Sequence, residues 1–393
     1  MAEFTINPIP FAGGTLQWDE AILGLIRLDT TRFIYAFSQS NPNYKFYGIA
    51  DVPNVTASSP TVTIVKQRAY VGVFNSVKMT RLDDDRFVSL DGADLFVYNT
   101  STDDVIEELK ITDWGSTFNN LPATRAWQRN VGDGEIVDVT MEPVPLTTSF
   151  RVVVRTLRYN ISTQTFSVSS PKILHTGVAI TNVDRGSVKI EQFLTDSTKV
   201  LIAYSDGSLT GPFTITPRQF AIYNLNDDTL DIITPPSLSA PYNNAMPVAF
   251  AANSVVHLSS NASIADAIEY DGTTWSADFP YAGANSTDPI NDTAILSPSY
   301  AMILRKPGGA GGDGGNVTIQ DYLIRIINRQ GAQSIVTSFP TNQGGGLNIT
   351  LPPSVVLWTR RDIMDVFDPE TVLLPGYNVQ SAQKRFVVTR ITP

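Results

Sequence analysis

An all-β ring assembled from repeated four-stranded sheets is the fold class this sequence predicts, and three observations predict it. The first is a short pattern that recurs: an apolar strand ends in Tyr or Asn, a polar turn follows, and a second apolar strand leaves. It is clearest at Leu95-Phe96-Val97-Tyr98-Asn99, followed by Thr100 to Asp104 and then Val105-Ile106-Glu107-Glu108-Leu109. Kin of it stand at Leu157-Arg158-Tyr159-Asn160, Phe220-Ala221-Ile222-Tyr223-Asn224 and Ala267-Ile268-Glu269-Tyr270-Asp271, with looser copies at Phe46-Tyr47 and Leu323-Ile324-Arg325-Ile326. The second observation is the spacing: anchor tyrosines at 47, 98, 159, 223 and 270, with a counterpart near Ile327, give intervals of 51, 61, 64, 47 and 57 residues. The third is composition, 42% hydrophobic, 10% aromatic and only 17% charged, which suits strands packed face to face. A strand repeat of this size spells a β-propeller, and a closed ring uses the whole chain, so residues 1–393 are expected to form one domain.

Each blade is expected to hold four antiparallel strands, innermost to outermost. The first blade falls around Leu23 to Lys66. The second is the best defined: Val77 to Leu82, the Asp83-Asp84-Asp85 turn, Arg86 to Leu90, a break at Gly92, Leu95 to Asn99, and Val105 to Ile111. The third spans Ile136 to Leu174. The fourth reads Val188 to Leu194, Lys199 to Tyr204, Gln219 to Tyr223 and Thr229 to Ile233. For the fifth the strands are Pro247 to Ala251, Ser254 to Ser259, Ala265 to Tyr270 and Trp275 to Phe279; for the sixth, Thr293 to Leu296, Tyr300 to Leu304, Tyr322 to Ile327 and Ser334 to Phe339. The segment Ile349 to Thr392 forms a seventh, since Leu351-Pro352-Pro353-Ser354 repeats Leu296-Ser297-Pro298-Ser299. Seven blades give about 56 residues each, in the range of kelch-sized units. Six blades with an elaborated terminus is the alternative. Sheet edges must be closed, so Phe4 to Ile9 is expected to pair beside Arg385 to Ile391.

The connections are unequal. Turns within hairpins are short, as at Asp83 to Asp85, Asp196-Ser197, Asn224 to Asp228 and Asp271 to Thr274. The long ones are Thr112 to Asp133, Gly207 to Arg218, Tyr281 to Asp292, Lys306 to Gln320 and Thr341 to Asn348. All five join second to third strands or one blade to the next, which places them on one face, where recognition is expected.

Composition also excludes function classes. The chain has no cysteine, which rules out disulfides, zinc-thiolate sites and thiol nucleophiles. A net charge of −10 argues against nucleic-acid or anionic-membrane partners. Residues 1 to 20 lack the pattern of a secretory signal, and no long apolar run suggests membrane insertion. Eight Asn-x-Ser/Thr sequons, Asn54, Asn99, Asn160 and Asn348 among them, read as a by-product of Asn, Ser and Thr richness.

Only two histidines exist, His175 and His257, so histidine-based catalysis and multi-histidine metal sites have little to draw on. His257 reads as packed structure. The stretch Gly308 to Asn316 nearly fits one calcium-binding β-roll nonapeptide, but Gly315 stands where a bulky apolar residue is wanted, and a flexible loop is the simpler reading. Glycoside chemistry needs two carboxyl groups facing one bond. Asp83-Asp84-Asp85, Asp103-Asp104 and Asp227-Asp228 read instead as turn formers. Glu191 and Asp138 are the acids expected nearer the channel. No catalytic residue, metal or cofactor is therefore assigned. The binding candidates lie in Thr112 to Asp133, where Trp114, Arg125, Trp127 and Arg129, with Phe118, supply the side chains that dominate sugar stacking and protein contacts.

No blade carries the Gly-His and Trp-Asp pairs of WD40 repeats or the paired glycines of kelch repeats. The cysteine-free, lysine-poor, Asn/Thr/Ser-rich chain with irregular blades resembles the propellers of tailed-bacteriophage virions, in tail, nozzle or adsorption proteins. The resemblance is one of style over the whole chain. It implies a non-enzymatic protein of the virion, structural or host-recognising, whose partner is another virion protein or a cell-surface glycan and which oligomerises through assembly. The alternatives are an extracellular location and a propeller-fold carbohydrate-active enzyme, a glycosidase or lyase.

Overall fold

In a computed structural model of the chain, residues are described in thirty strands and in the turns at 28–31, 52, 54, 82–85, 112, 114, 133–134, 144, 146–147, 161–164, 169–171, 225–228 and 273–274. Side-chain surroundings are described between residues 26 and 233 and at 273–274. The first sheet consists of β2 (Ala21–Arg27), β3 (Arg32–Ser38), β4 (Tyr44–Asp51) and β5 (Thr63–Val71) in that order. The second holds β6 (Lys78–Arg81), β7 (Arg86–Asp91), β8 (Asp94–Thr102) and β9 (Asp104–Ile111). The third has β10 (Ala126–Gly132), β11 (Glu135–Pro143), β12 (Ser149–Asn160), β13 (Thr165–Val168) and β14 (Lys172–Ala179). The fourth comprises β15 (Val188–Phe193), β16 (Asp196–Tyr204), β17 (Gln219–Asn224) and β18 (Thr229–Ile233).

Two further four-stranded sheets follow. One is β19 (Met246–Ala249), β20 (Val255–Leu258), β21 (Asp266–Tyr270) and β22 (Phe279–Pro280); the next is β23 (Ile290–Ser297), β24 (Tyr300–Arg305), β25 (Leu323–Asn328) and β26 (Ile335–Pro340). The closing sheet combines β27 (Leu347–Asn348), β28 (Asp365–Asp368), β29 (Thr371–Asn378) and β30 (Gln383–Thr392) with β1 (Thr5–Pro10) from the other end of the chain. β1 runs antiparallel to β30, Thr5 opposite Thr392 through Pro10 opposite Val387. This pairing supplies the outer strand of the last sheet from the first residues, as the need to close sheet edges predicts.

First strands of successive sheets touch in series, β2 to β6 to β10 to β15 to β19 to β23 to β28. Sheets stacked about a line of inner strands make an all-β propeller. Alternation explains the stacking: in β7, Phe87 joins Leu28, Ile34, Tyr47, Ile49, Phe96, Tyr98 and Val105 in the core between the first two sheets. Val88 and Leu90, of opposite parity, join Leu95, Val97, Ile136, Leu157 and Tyr159 between the second and third. Val137, Val139, Val152 and Val154 then pack against Ile190, Val200, Ile202, Ala221 and Tyr223 of the fourth. The second and third sheets are thus buried on both faces, which is why their strands read as near-continuous apolar runs.

Two expectations are corrected. The third sheet starts at Ala126, not Ile136, and its outer strand is split into β13 and β14, both paired to the long β12. The Ser169-Ser170-Pro171 break causes the split: Ser169 turns its Oγ to the Thr156 amide at 2.9 Å, and proline offers no ladder donor. Tyr47 is out of phase with the other anchors, because Phe87 pairs with Tyr98 but its counterpart Phe33 pairs with Ala50. In the fifth sheet the last strand is described at Phe279–Pro280, and the rest of the expected Trp275 to Phe279 strand lies outside the described residues. The Leu351 to Ser354 and Gly308 to Asn316 segments lie outside the described residues.

Candidate functional site

Two ends of the sheets differ in construction. At one end the turn joining first and second strands repeats a chemical device. Asp29 Oδ1 accepts from the amides of Thr31 and Arg32, both at 2.6 Å; Asp83 Oδ1 accepts from the Asp85 amide at 2.9 Å; Asp196 Oδ1 accepts from Thr198 at 3.2 Å. A basic residue follows each aspartate at the third position: Arg32, Arg86 and Lys199. The returning third strand is tied down by the next backbone amide, Val52 to Thr31 O at 2.6 Å, Thr100 to Asp85 O and Leu225 to Thr198 O at 2.8 Å each. These acids are turn formers, because an Asx side chain replaces a backbone acceptor in a tight reversal. At the equivalent turn of the third sheet Gly134 takes φ +72°, where a Cβ would meet the Tyr159 carbonyl oxygen at 3.1 Å.

Between the second and third sheets the same end carries a part-buried charge cluster. Arg86 Nε donates to Glu108 Oε2 at 2.8 Å and its Nη1 to Asp83 Oδ2 at 3.2 Å. Tyr159 donates its hydroxyl to Glu108 at 2.8 Å from the neighbouring sheet, and Asn99 Nδ2 donates at 2.5 Å. Burial alone pushes the Glu108 carboxyl up, but hydrogen bonds from Arg86, Tyr159 and Asn99 outweigh it and hold the group below its ordinary value. The Tyr159 phenol is pushed up by burial and by the adjacent carboxylate. A related bridge joins the third and fourth sheets, where the Tyr223 hydroxyl lies 3.0 Å from Thr156 Oγ1 and donates to Asp228 Oδ1 at 2.5 Å.

The opposite end receives the longer connections, residues 112–125, 205–218, 281–289 and 306–322; residues 52–62, between β4 and β5, and 271–278, between β21 and β22, are exceptions at the turn end. Here the four binding candidates separate. Trp114 is partly buried and packs against the core between the second and third sheets, with no hydrogen-bond partner for its Nε1 among the described residues. Trp127 and Arg129 are not in a loop but on β10, the innermost strand of the third sheet, opposite Val139 and Val137. Arg129 is exposed there. Arg125 lies outside the described residues. Trp127 and Arg129 read as loop because Ala-Trp-Gln-Arg-Asn-Val-Gly lacks the β-branched run that marks the other strands.

The acids named for the channel are enclosed. Asp138 is fully buried on β11 and accepts from Gln128 Nε2 at 2.9 Å, with Arg155 opposite it on β12. Glu191 is buried on β15. Further out, Glu142 pairs with Arg151 at 2.9 Å and also with Arg155. Asp84 and Asp133 are well exposed, but both contact Nη2 of Arg81, at 2.6 and 3.4 Å, so a guanidinium stands between them. Among the described residues no group of three or more His, Cys, Asp or Glu is gathered for a metal. Sequence reasoning missed the repeat Arg-Leu-Asp-x-x-Arg-Phe at Arg27 to Phe33 and Arg81 to Phe87, which marks the turn device directly.

No family model matches this chain, and no curated protein resembles it in sequence. Solved structures do resemble it in shape. An oligogalacturonate lyase from Vibrio parahaemolyticus aligns at TM-score 0.51 and 9% identity, over 99% of this chain and 97% of that one. A prolyl endopeptidase aligns at 0.49 and 9% identity over 95% of this chain and 50% of that one. The Nup133 β-propeller domain of Vanderwaltozyma polyspora aligns at 0.37 and 10% identity, over 62% and 69%. At 9% identity the likeness to the lyase speaks for fold alone.

Proposed function

We propose that this chain is a non-enzymatic propeller of seven blades, one per sheet, acting as a structural or host-recognition protein of a virion. Its working face is the one that receives the long connections, and its partner is a neighbouring subunit or a cell-surface glycan. The observation that carries this reading is the contrast between the ends of the sheets. At the turn end, Asp29, Asp83, Asp196, Glu108 and Asp228 are committed to turns and ion pairs that hold the ring together. At the other end chain length is added, as in residues 205–218 between β16 and β17, against two residues between β15 and β16. Asp138 and Glu191 are shut away from any substrate by burial. The phage assignment is supported by composition and style of the chain.

The test is a glycan array run beside an assay for released sugar. Binding without turnover is the expected result for host recognition, and silence on both is expected for an assembly role. Turnover of any glycan overturns the non-enzymatic reading.

A further inference from the structure

The inner strands are stitched to one another by side chains that reach back to the preceding blade. Arg81, at the end of β6, donates Nε to the Leu28 carbonyl of the first sheet at 2.7 Å. Asn130 on β10 donates Nδ2 to the Leu82 carbonyl of the second sheet at 3.1 Å. Gln192 on β15 donates Nε2 to the Val131 carbonyl of the third at 3.1 Å. Three successive inner strands therefore use one rule: a long polar side chain near the strand's end hydrogen-bonds the last carbonyls of the strand before it. Those carbonyls lie at or just past the end of the inner strand, within reach of a side-chain donor, and Leu82 O accepts from the Gly134 amide at 2.9 Å as well.

Arg27 occupies the place of Arg81 one blade earlier. Both precede a buried leucine and an Asx-turn aspartate; Arg27 pairs with Phe33 as Arg81 pairs with Phe87. The amides after them donate alike, Leu28 to Arg32 O and Leu82 to Arg86 O, both at 2.9 Å. On the seven-blade reading proposed above, the blade preceding the first is the closing sheet, which holds both ends of the chain. We propose that Arg27 is the clasp of the ring: its guanidinium crosses the seam and donates to a backbone carbonyl at the end of β28, Phe367 or Asp368. A clasp matters here because β1, which leads into the first blade, is joined to β30 by strand pairing alone, and there is no disulfide to help. Arginine suits the task, since its five donors can hold a carbonyl on one side while pairing on the other, as Arg81 does with Asn130 Oδ1 at 3.2 Å.

Native-state hydrogen exchange on the full chain separates this from a merely stabilising surface arginine. In Arg27→Ala, amides of β1 and β28 to β30 are expected to exchange about tenfold faster, with β7 and β11 unchanged. Arg81→Ala is the control and should speed exchange in β2, β6 and β10 while leaving β1 and β30 as in the parent. If Arg27→Ala gives seam amides that exchange at the parental rate, or speeds every sheet equally, the clasp is wrong. Should Arg27→Ala fail to fold, Arg27→Leu supplies the same readout: it keeps an apolar stem but removes every donor, and parental seam exchange in that variant also overturns the proposal.

Discussion

The interface between the first and second blades and the one between the second and third are built from the two faces of a single sheet, yet they are chemically unlike. The first is aromatic: Phe87 lies 5.3 Å from Tyr47 and 5.2 Å from Tyr98, with Phe96 5.9 Å from Tyr98. Its buried polar element is a neutral contact, the Tyr47 hydroxyl 2.7 Å from Ser89 Oγ, and at its turn end Arg81 and Arg32 cross it to backbone carbonyls, of Leu28 at 2.7 Å and Thr100 at 2.9 Å, and not to an acid. The second is aliphatic in its middle and carries charge on both sides, Glu108 with Arg86 and Tyr159 toward the turns, Asp138 opposite Arg155 and Glu142 beyond. An apolar joint depends on area and shape and is indifferent to pH. A charged joint holds register strongly but only while its groups keep their ionisation.

The largest effect expected from breaking this contrast is at Phe87. Replacing it with Ala removes the ring at the centre of the aromatic joint and leaves a cavity, at a cost of about 3–5 kcal/mol. Urea denaturation should show that loss equally at pH 5 and pH 8. A loss that grew on acidification would mean the first joint is charged after all.

Next comes Glu108→Ala, which leaves Arg86 buried beside Asp83 alone and Tyr159 without its acceptor. Breaking a buried pair from one side costs about 3 kcal/mol. Its pH dependence has a definite sign. The folded-state value of Glu108 lies below the ordinary 4.5, so its stabilisation is fully present above that value and disappears as pH falls through the folded one. The parent should therefore lose stability on acidification more steeply than Glu108→Ala, the two urea midpoints converging as pH falls below the ordinary 4.5. Parallel curves would remove Glu108 from the acid response.

The contrast also explains what could be read from the sequence. The second blade was legible almost to the residue, because Arg86 to Leu90 and Leu95 to Asn99 hold near-continuous apolar runs of strand length and Asp83-Asp84-Asp85 can only turn. The tyrosine repeat was legible in Tyr98, Tyr159 and Tyr223, all packed toward the preceding blade, and misleading in Tyr47, which packs toward the following one. Strand periodicity gives the face only relative to a register, and Tyr47 sits three positions before Ala50, the residue that pairs as Tyr98 does. The inner strand β10 was not legible, since Trp127, Gln128, Arg129 and Asn130 carry no apolar alternation. It is a strand because β11 offers it a ladder, and Gln128 and Asn130 find partners in Asp138 and Leu82. The candidate site suffered by that error, with two of its four residues moved from a loop onto the inner strand.

Smaller effects sharpen the comparison at its polar contacts. Tyr47→Phe removes one neutral hydrogen bond in the aromatic joint and leaves Ser89 buried, for about 1 kcal/mol. Tyr223→Phe removes a hydroxyl shared by Thr156 and Asp228, for about 1–2 kcal/mol. The second loss should shrink at low pH. Burial pushes the Asp228 carboxyl up, but the hydrogen bonds from Tyr223 and Lys172 outweigh it and hold the group below its ordinary value, so protonation weakens the contact. The first loss should be the same at every pH. Equal pH behaviour in the two variants would erase the distinction between neutral and charged joints at the level of single hydroxyls.

The smallest expected effect lies at Leu146, in the turn between β11 and β12, above the Glu142 and Arg151 pair. It is fully exposed and takes φ +65°, a conformation in which a Cβ is crowded by its own backbone. The turn is nonetheless held, by the Thr147 amide to Val144 O at 3.2 Å and the Thr147 hydroxyl to the same oxygen at 2.9 Å. Leu146→Gly relieves the crowding, worth about 1 kcal/mol, but adds freedom to the unfolded chain that returns much of it. The net gain expected is about 0.5 kcal/mol, and it should be the same at pH 5 and pH 8, because no charge is touched. A loss of stability would show that the leucine side chain makes contacts that outweigh the backbone strain.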